Sequence, residues 1–346
     1  MRRMLIMLLV GAVLLSSIPA AVNAADNQVT GQAKGGNTLP TITSVTLVED
    51  GTDNEVIAMT PGNPYRIKVE AGDINTVNDI QSIDFYVYHT SQGASWDADQ
   101  NAIFKWTKGS PSTWSMENGG ASTTWEIVTG DCIEPSDFSA TTGTWYLKFK
   151  PGYLAQQTAS QDWFCSAKVY DENPAGASGA WATGSTMAAY AAVSFSQGTV
   201  TLGDPVNGIS PGGTGYVTDP ASTYLTVKTT TNAQYALAVK SDKKWTNGSY
   251  PDITLAEGTG VPGGSGKFNL FLDDEEQGNP GQPKTPQAVE DTNVTVAGYA
   301  TMPRVTTAPN TPEGTADADM YMGLSFSLSG IYEVTYSGTM TFTVTN

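Results

Sequence analysis

One histidine, His89, two cysteines, Cys132 and Cys165, and 34 acidic residues are the groups from which this chain of 346 residues must build any chemistry. A single imidazole excludes metal centres with several histidine ligands, and a Ser-His-Asp triad would have to be built on His89, which follows Tyr88 at the end of a strand-like run. Paired carboxylates suit glycoside hydrolysis, in which one protonates the leaving oxygen while the other attacks or activates water. Asp84, Asp97, Asp99 and Glu126 are of the right type, but no spacing among them sets an acid apart from a nucleophile. The chain is therefore read as non-enzymatic, with a glycoside hydrolase as the weakest of the alternatives.

Other residues favour binding over catalysis. Asp73, Asn75 and Asp79, and further on Asp97 and Asp99, place oxygen ligands on loops between strand-like runs, a donor set that suits Ca2+. Neither group matches an EF-hand, and Asx turns make the competing use of the same side chains. No cofactor is required. Seven of the eight tryptophans lie between Trp96 and Trp181. Trp145 and Trp163 alternate with polar neighbours as core residues do. Trp106, Trp114 and Trp125 flank Gly- and Ser-rich turns, where exposed indoles would stack on sugar rings; core packing is the other use of such rings. In an oxidising compartment Cys132 and Cys165 most simply form one disulfide, stabilising by ~3–4 kcal/mol in the chain-entropy model. Two buried free thiols are the alternative. Asn247-Gly248-Ser249 and Asn293-Val294-Thr295 are glycosylation acceptors in pattern.

The elements that carry these residues are strands. Tyr65, Ile67, Val69 and Ala71 share one face while Arg66, Lys68 and Glu70 share the other. The same period of two recurs at Ile83, Phe85 and Val87, at Trp145, Leu147 and Phe149, and at Trp163, Cys165, Ala167 and Val169. A second series contains Leu225 and Val227, then Tyr235, Leu237 and Val239, then Phe268, Leu270 and Leu272. It closes with Met322, Leu324, Phe326 and Leu328 and a run from Tyr332 to Val344. With 36 glycines and 19 prolines punctuating the chain, long helices are not expected. Ahead of the strands, Arg2 and Arg3, the apolar run from Met4 and the Val22-Asn23-Ala24 site predict a cleaved signal peptide over 1–24, followed by a flexible leader over 25–39. The expected fold is all-β: a β-sandwich over 40–172, a small-residue linker over 173–189 and a second β-sandwich over 190–346.

Charge narrows the partners. The chain carries a net charge of −17, which becomes −19 when Arg2 and Arg3 leave with the signal peptide. Phosphate backbones need clustered basic residues, so nucleic acid is excluded as a partner. No membrane span is expected in the mature chain.

The segment from Tyr65 through Asp73-Ile74-Asn75-Thr76, Ile83-Asp84-Phe85-Tyr86-Val87-Tyr88, Trp96-Asp97-Ala98-Asp99 and Gly143-Thr144-Trp145 resembles an Ig-like β-sandwich module of secreted and cell-surface proteins of bacteria and archaea. The closing stretch Tyr336-Ser337-Gly338-Thr339-Met340-Thr341-Phe342-Thr343-Val344 is similar to the last strand of prokaryotic surface and coat domains. The resemblance implies an extracellular or cell-surface structural protein, a subunit of a surface layer, sheath, filament or adhesive coat. Its partners would be other copies of itself or cell-envelope components. A secreted polysaccharide-binding module is the alternative. Two strand-like ends, Ile42 to Val48 and Met340 to Val344, could add to the edge of a neighbouring copy; closing their own domains is the competing use.

Overall fold

The structure is a computed structural model that describes residues 38–91, 101–117, 125–172, 176–218, 222–278, 280–306 and 315–346. The expected signal peptide and all but the last two residues of the leader lie outside the described residues. Thr38–Asn346 form one compact unit, and within it two separate hydrophobic cores assemble, one from residues 45–187 and the other from 217–342.

The first core is enclosed by β1 (Thr41–Glu49), β2 (Ala58–Met59), β3 (Tyr65–Gly72), β4 (Ser82–His89), β5 (Ala102–Thr107), β6 (Thr113–Glu117), β7 (Glu126–Ile127), β8 (Thr142–Lys150), β9 (Thr158–Tyr170), β10 (Ala177–Ala180) and β11 (Ser185–Met187). The second is enclosed by β12 (Ala191–Phe195), β13 (Thr214–Tyr216), β14 (Leu225–Thr231), β15 (Ala236–Ser241), β16 (Lys244–Trp245), β17 (Ile253–Leu255), β18 (Lys267–Asp273), β19 (Gln287–Val289), β20 (Val294–Thr295), β21 (Ala316–Phe326) and β22 (Met340–Thr345). Each core lies between two sheets. A four-stranded sheet in the order β1-β3-β8-β7 faces a seven-stranded one, β2-β11-β9-β4-β5-β6 with β10 also on β9. In the second half an eight-stranded sheet runs β12-β14-β21-β18-β17-β16, with β13 on β21 and β19 on β18, opposite a three-stranded sheet, β20-β15-β22. Among the described residues no helix is long and apolar enough to cross a membrane.

Most strands form where the period of two predicts them, but the run expected from Tyr332 to Val344 is a strand only from Met340 onward. In β3, Tyr65, Ile67, Val69 and Ala71 are buried and the residues between them are half-buried. Ile67 stands opposite both Leu47 and Leu147, so three inward-facing aliphatics form one layer of the core. Aromatic rings join the two sheets: Phe104 of β5 meets Phe149 of β8 at 5.7 Å, and Trp106 meets Trp145 edge-on at 5.5 Å. In the second half β18 is buried nearly throughout, and β21 ends at Phe326, leaving Leu328 beyond it exposed.

The expected linker over 173–189 is not free along its described residues, 176–189. Residues 177–180 pair with β9 as β10, and residues 185–187 pair with both β9 and β2 as β11. Its small residues are what close packing requires: a Cβ on Gly179 would lie 2.6 Å from Ile42 Cγ2, and Trp181 is buried in the first core.

Asn232 then ties the second half to the first. Its side-chain amide donates to the carbonyls of Ala155 (2.8 Å) and Ala188 (2.9 Å), its side-chain oxygen accepts the Tyr190 N–H at 2.7 Å, and its own carbonyl accepts the Gln157 N–H at 3.1 Å. The residue is fully buried, so each of those groups depends on it for a partner. Asn232→Ala is expected to lower stability by ~1–3 kcal/mol, read as a lower denaturation midpoint; an unchanged midpoint would show that water takes over these bonds at no cost.

Candidate functional site

Among the described residues, those singled out for chemistry do not converge. Asp84 is buried on β4 of the seven-stranded sheet, with Lys105 Nζ at 3.9 Å, and burial raises its carboxyl above the usual range. Glu126 lies on β7 of the four-stranded sheet, ion-paired with Lys150 at 2.9 Å. These two carboxylates therefore do not form an acid and nucleophile pair, and Asp97 and Asp99 lie outside the described residues.

His89 is buried at the end of β4, edge-on to Trp163 at 5.5 Å, with Nδ1 and the Ser91 hydroxyl 2.7 Å apart. Burial pushes its pKa below the ordinary 6.5, Asp162 opposes that shift and Arg304 adds to it. Arg304 lies in the second half of the chain, so the imidazole senses a charge from the other core.

Asp73 makes an Asx turn, its Oδ1 accepting the Asn75 N–H at 2.8 Å. Asp79 sits in a short 3-10 turn, Val77–Asp79, with its N–H on the Thr76 carbonyl. Among the described residues no three His, Cys, Asp or Glu side chains gather as a metal site would need.

The tryptophan platform is not on the surface. Trp106 and Trp125 are within the first core, and Trp114 is half-buried against it, 5.8 Å from Phe85 and 6.5 Å from Trp106. The Trp106 indole N–H is spent inside the molecule on Glu134 at 2.9 Å. A sugar ring cannot stack on Trp106 or Trp125 without opening the sandwich, and half-buried Trp114 offers only part of its ring. The Gly- and Ser-rich residues 109–112 form the turn between β5 and β6 while the Trp106 ring projects inward, and residues 118–124 ahead of Trp125 lie outside the described residues.

The two cysteines are free thiols, which corrects the expected disulfide. Cys165 faces inward from β9, opposite Val87 in the seven-stranded sheet. Cys132 sits beside β8 of the four-stranded sheet, where its sulfur accepts the Lys148 N–H at 3.3 Å. Burial raises both thiols, Cys132 to about 11, so neither is a nucleophile near neutral pH. Of the glycosylation acceptors, Asn293 is exposed, and half-exposed Asn247 accepts the N–H groups of Ser249 and Tyr250 at 2.9 and 2.8 Å.

What remains is a surface made of backbone. β1 and β22 are both edge strands, each with one neighbour in its sheet. The outer edge of β1 is partly taken: Val56 N–H bonds to Leu47 O, Glu49 N–H bonds to Asn54 O, and Val48 bridges to Glu55. Along β22, among the described residues, only the side facing β15 is paired, from Ala236–Thr345 to Ser241–Met340. Its side chains divide as the sequence predicts, with Phe342 buried and Thr341 and Thr345 exposed. Beside it runs β12, with Phe195 5.7 Å from Phe342. Together they border an open groove of about 760 Å³. The alternation of β22 was visible in the sequence, whereas the groove was not, because it depends on which strands fail to cover which.

Two measurements check this reading. Thiol titration is expected to find two reactive groups on unfolding and none on the native surface, with the same melting temperature with or without reductant; fewer than two thiols after unfolding would mean a disulfide. For His89, the unfolded chain binds a proton near pH 6.5 and the folded chain only at lower pH. Its contribution to stability is therefore complete above pH 6.5 and is lost as pH falls through and below that value. Between about pH 7 and pH 5 His89→Gln should lose less thermal stability than the parent, and equal losses would assign the acid sensitivity elsewhere.

Comparison with models of protein families and with curated protein sequences finds no match.

Proposed function

We propose that this chain is a non-enzymatic structural protein of the extracellular space or cell surface, with two Ig-like β-sandwich domains in tandem, and that copies of it assemble by β-strand addition. The observation that carries this reading is the outer edge of β22, unpaired among the described residues. Edge strands in monomeric proteins are blunted by charge, proline or a bulge. Met340-Thr341-Phe342-Thr343-Val344-Thr345 contains no charged residue and no proline, and its register with β15 is unbroken. An edge of this kind is a template for another chain.

Strand addition also suits the charge of the chain. Its formal charge of −17 keeps separate copies apart over most of the surface, so assembly must proceed through an uncharged patch held by main-chain hydrogen bonds. A surface layer, sheath, filament or adhesive coat is the setting such a subunit fits, with cell-envelope components as further partners. The signal-like pattern of the first 24 residues supports a location outside the cell.

Deleting β1 would not test the idea, because Val45, Leu47 and Val48 belong to the first core. Purified protein should instead be followed by sedimentation and negative-stain imaging across salt and calcium concentrations. Ordered oligomers or polymers under some of these conditions are expected. A species that sediments as a monomer throughout would overturn the reading.

A further inference from the structure

We infer that β22 pairs with β22 of a second copy of this chain, antiparallel and about a two-fold axis, joining the two three-stranded sheets into one of six strands. The inference rests on the assembly reading above and narrows it to one edge, one partner and one geometry.

First, the second sandwich has, among its described residues, no strand covering this side. Its larger sheet has eight strands and its smaller sheet three. The groove beside β22 is lined by Leu225, Leu324 and Phe326 from the larger sheet and by Phe342 from the smaller. A strand laid against the outer edge of β22 extends the three-stranded sheet over this groove and satisfies the outward N–H and C=O groups of the edge.

The second argument is charge. β12 and β22 form the adjoining edges of the two sheets, and neither Ala191–Phe195 nor Met340–Thr345 contains an Asp, Glu, Lys or Arg. Asp204 and Glu333 line the groove itself, so on a chain of net charge −17 it is along the two strands, rather than across the whole groove, that a second copy meets no carboxylate.

The third argument is self-complementarity. Directly opposed residues in an antiparallel pair point to the same face, so the two-fold axis must fall at a residue, Phe342 or Thr343. With Thr343 on the axis, Phe342 meets the partner's Val344 and Thr341 meets the partner's Thr345. With Phe342 on the axis, Met340 meets the partner's Val344 and Thr341 meets the partner's Thr343. In either register apolar residues face the cores and threonines form a ladder on the outer surface, both favourable cross-strand pairings. A two-fold contact of this kind needs nothing from another protein.

The test uses the full chain with two kinds of substitution. The double variant T341D/T343D places carboxylates opposite each other in both registers. It should sediment as a smaller species than the parent while keeping its far-ultraviolet circular dichroism. Thr343→Cys alone, which meets itself when Thr343 lies on the axis, or Thr341→Cys mixed with Thr343→Cys, which meet when Phe342 lies on the axis, should yield a reducible covalent dimer under mild oxidation. The parent, and Thr292→Cys on an exposed loop, should not.

If the double variant fails to fold, the cysteine pair decides alone. A parent that assembles while neither Thr343→Cys alone nor the mixture crosslinks, or a folded T341D/T343D that assembles as the parent does, overturns the β22 contact and leaves assembly through another surface standing. A parent that remains monomeric at every concentration overturns both.

Discussion

Each edge strand of a β-sheet leaves a row of N–H and C=O groups pointing away from its only neighbour, and where those groups find partners organises this molecule. In the first half several edges are occupied, while β6 and β7 each keep a single neighbour among the described residues. Residues 54–56 fold back onto β1, β10 and β11 both add to β9, and the bridge of Ile133 to Tyr146 continues the pairing of β8 beyond β7. In the second half β13 and β19 do the same for β21 and β18. β22 has no such cover among the described residues, and the groove beside it is the packing counterpart of that missing neighbour.

The two halves divide the work of folding differently. The first is held by a continuous aromatic cluster in which Trp106, Trp125, Trp145 and Trp163 are fully buried. Their indole N–H groups reach carbonyls or carboxylates where the packing permits, as Trp163 does on Gln156 O at 2.9 Å and Trp181 on Glu55 at 2.7 Å. The second core is more aliphatic, built on Leu225, Val227, Leu237, Leu270 and Met320, and opens at one side. Asn232 and the Tyr153–Tyr190 stack, with centroids 4.6 Å apart, link the halves. A firm first half can thus hold the second while the latter offers an edge to a neighbour.

Most of the strands were legible because burial on one face imposes a period of two that the residues themselves display. Tyr65 to Ala71, Trp145 to Phe149 and Trp163 to Val169 are clear cases. Residues 177–187 were not legible as strands, since close approach to Ile42 and β9 selects Gly, Ala and Ser, the same residues that mark a linker. The tryptophans misled for a related reason: turn residues beside Trp106 report where the chain reverses, not which way a ring points. Cysteine pairing depends on which sheet carries each thiol, and that relation is not local. The candidate site was half legible. The alternation of Met340 to Val344 can be read directly, but the absence of a neighbour along its outer edge is a property of the whole sheet.

Hydrogen–deuterium exchange at residues 340–345, followed with increasing protein concentration, tests the free edge of β22 most directly. Outward-facing amides of this strand should exchange readily in dilute solution and become protected as copies associate, while those of β1 remain unchanged. Exchange at 340–345 that is slow in dilute solution, or independent of concentration, would contradict the assignment of this edge as the surface on which the protein assembles.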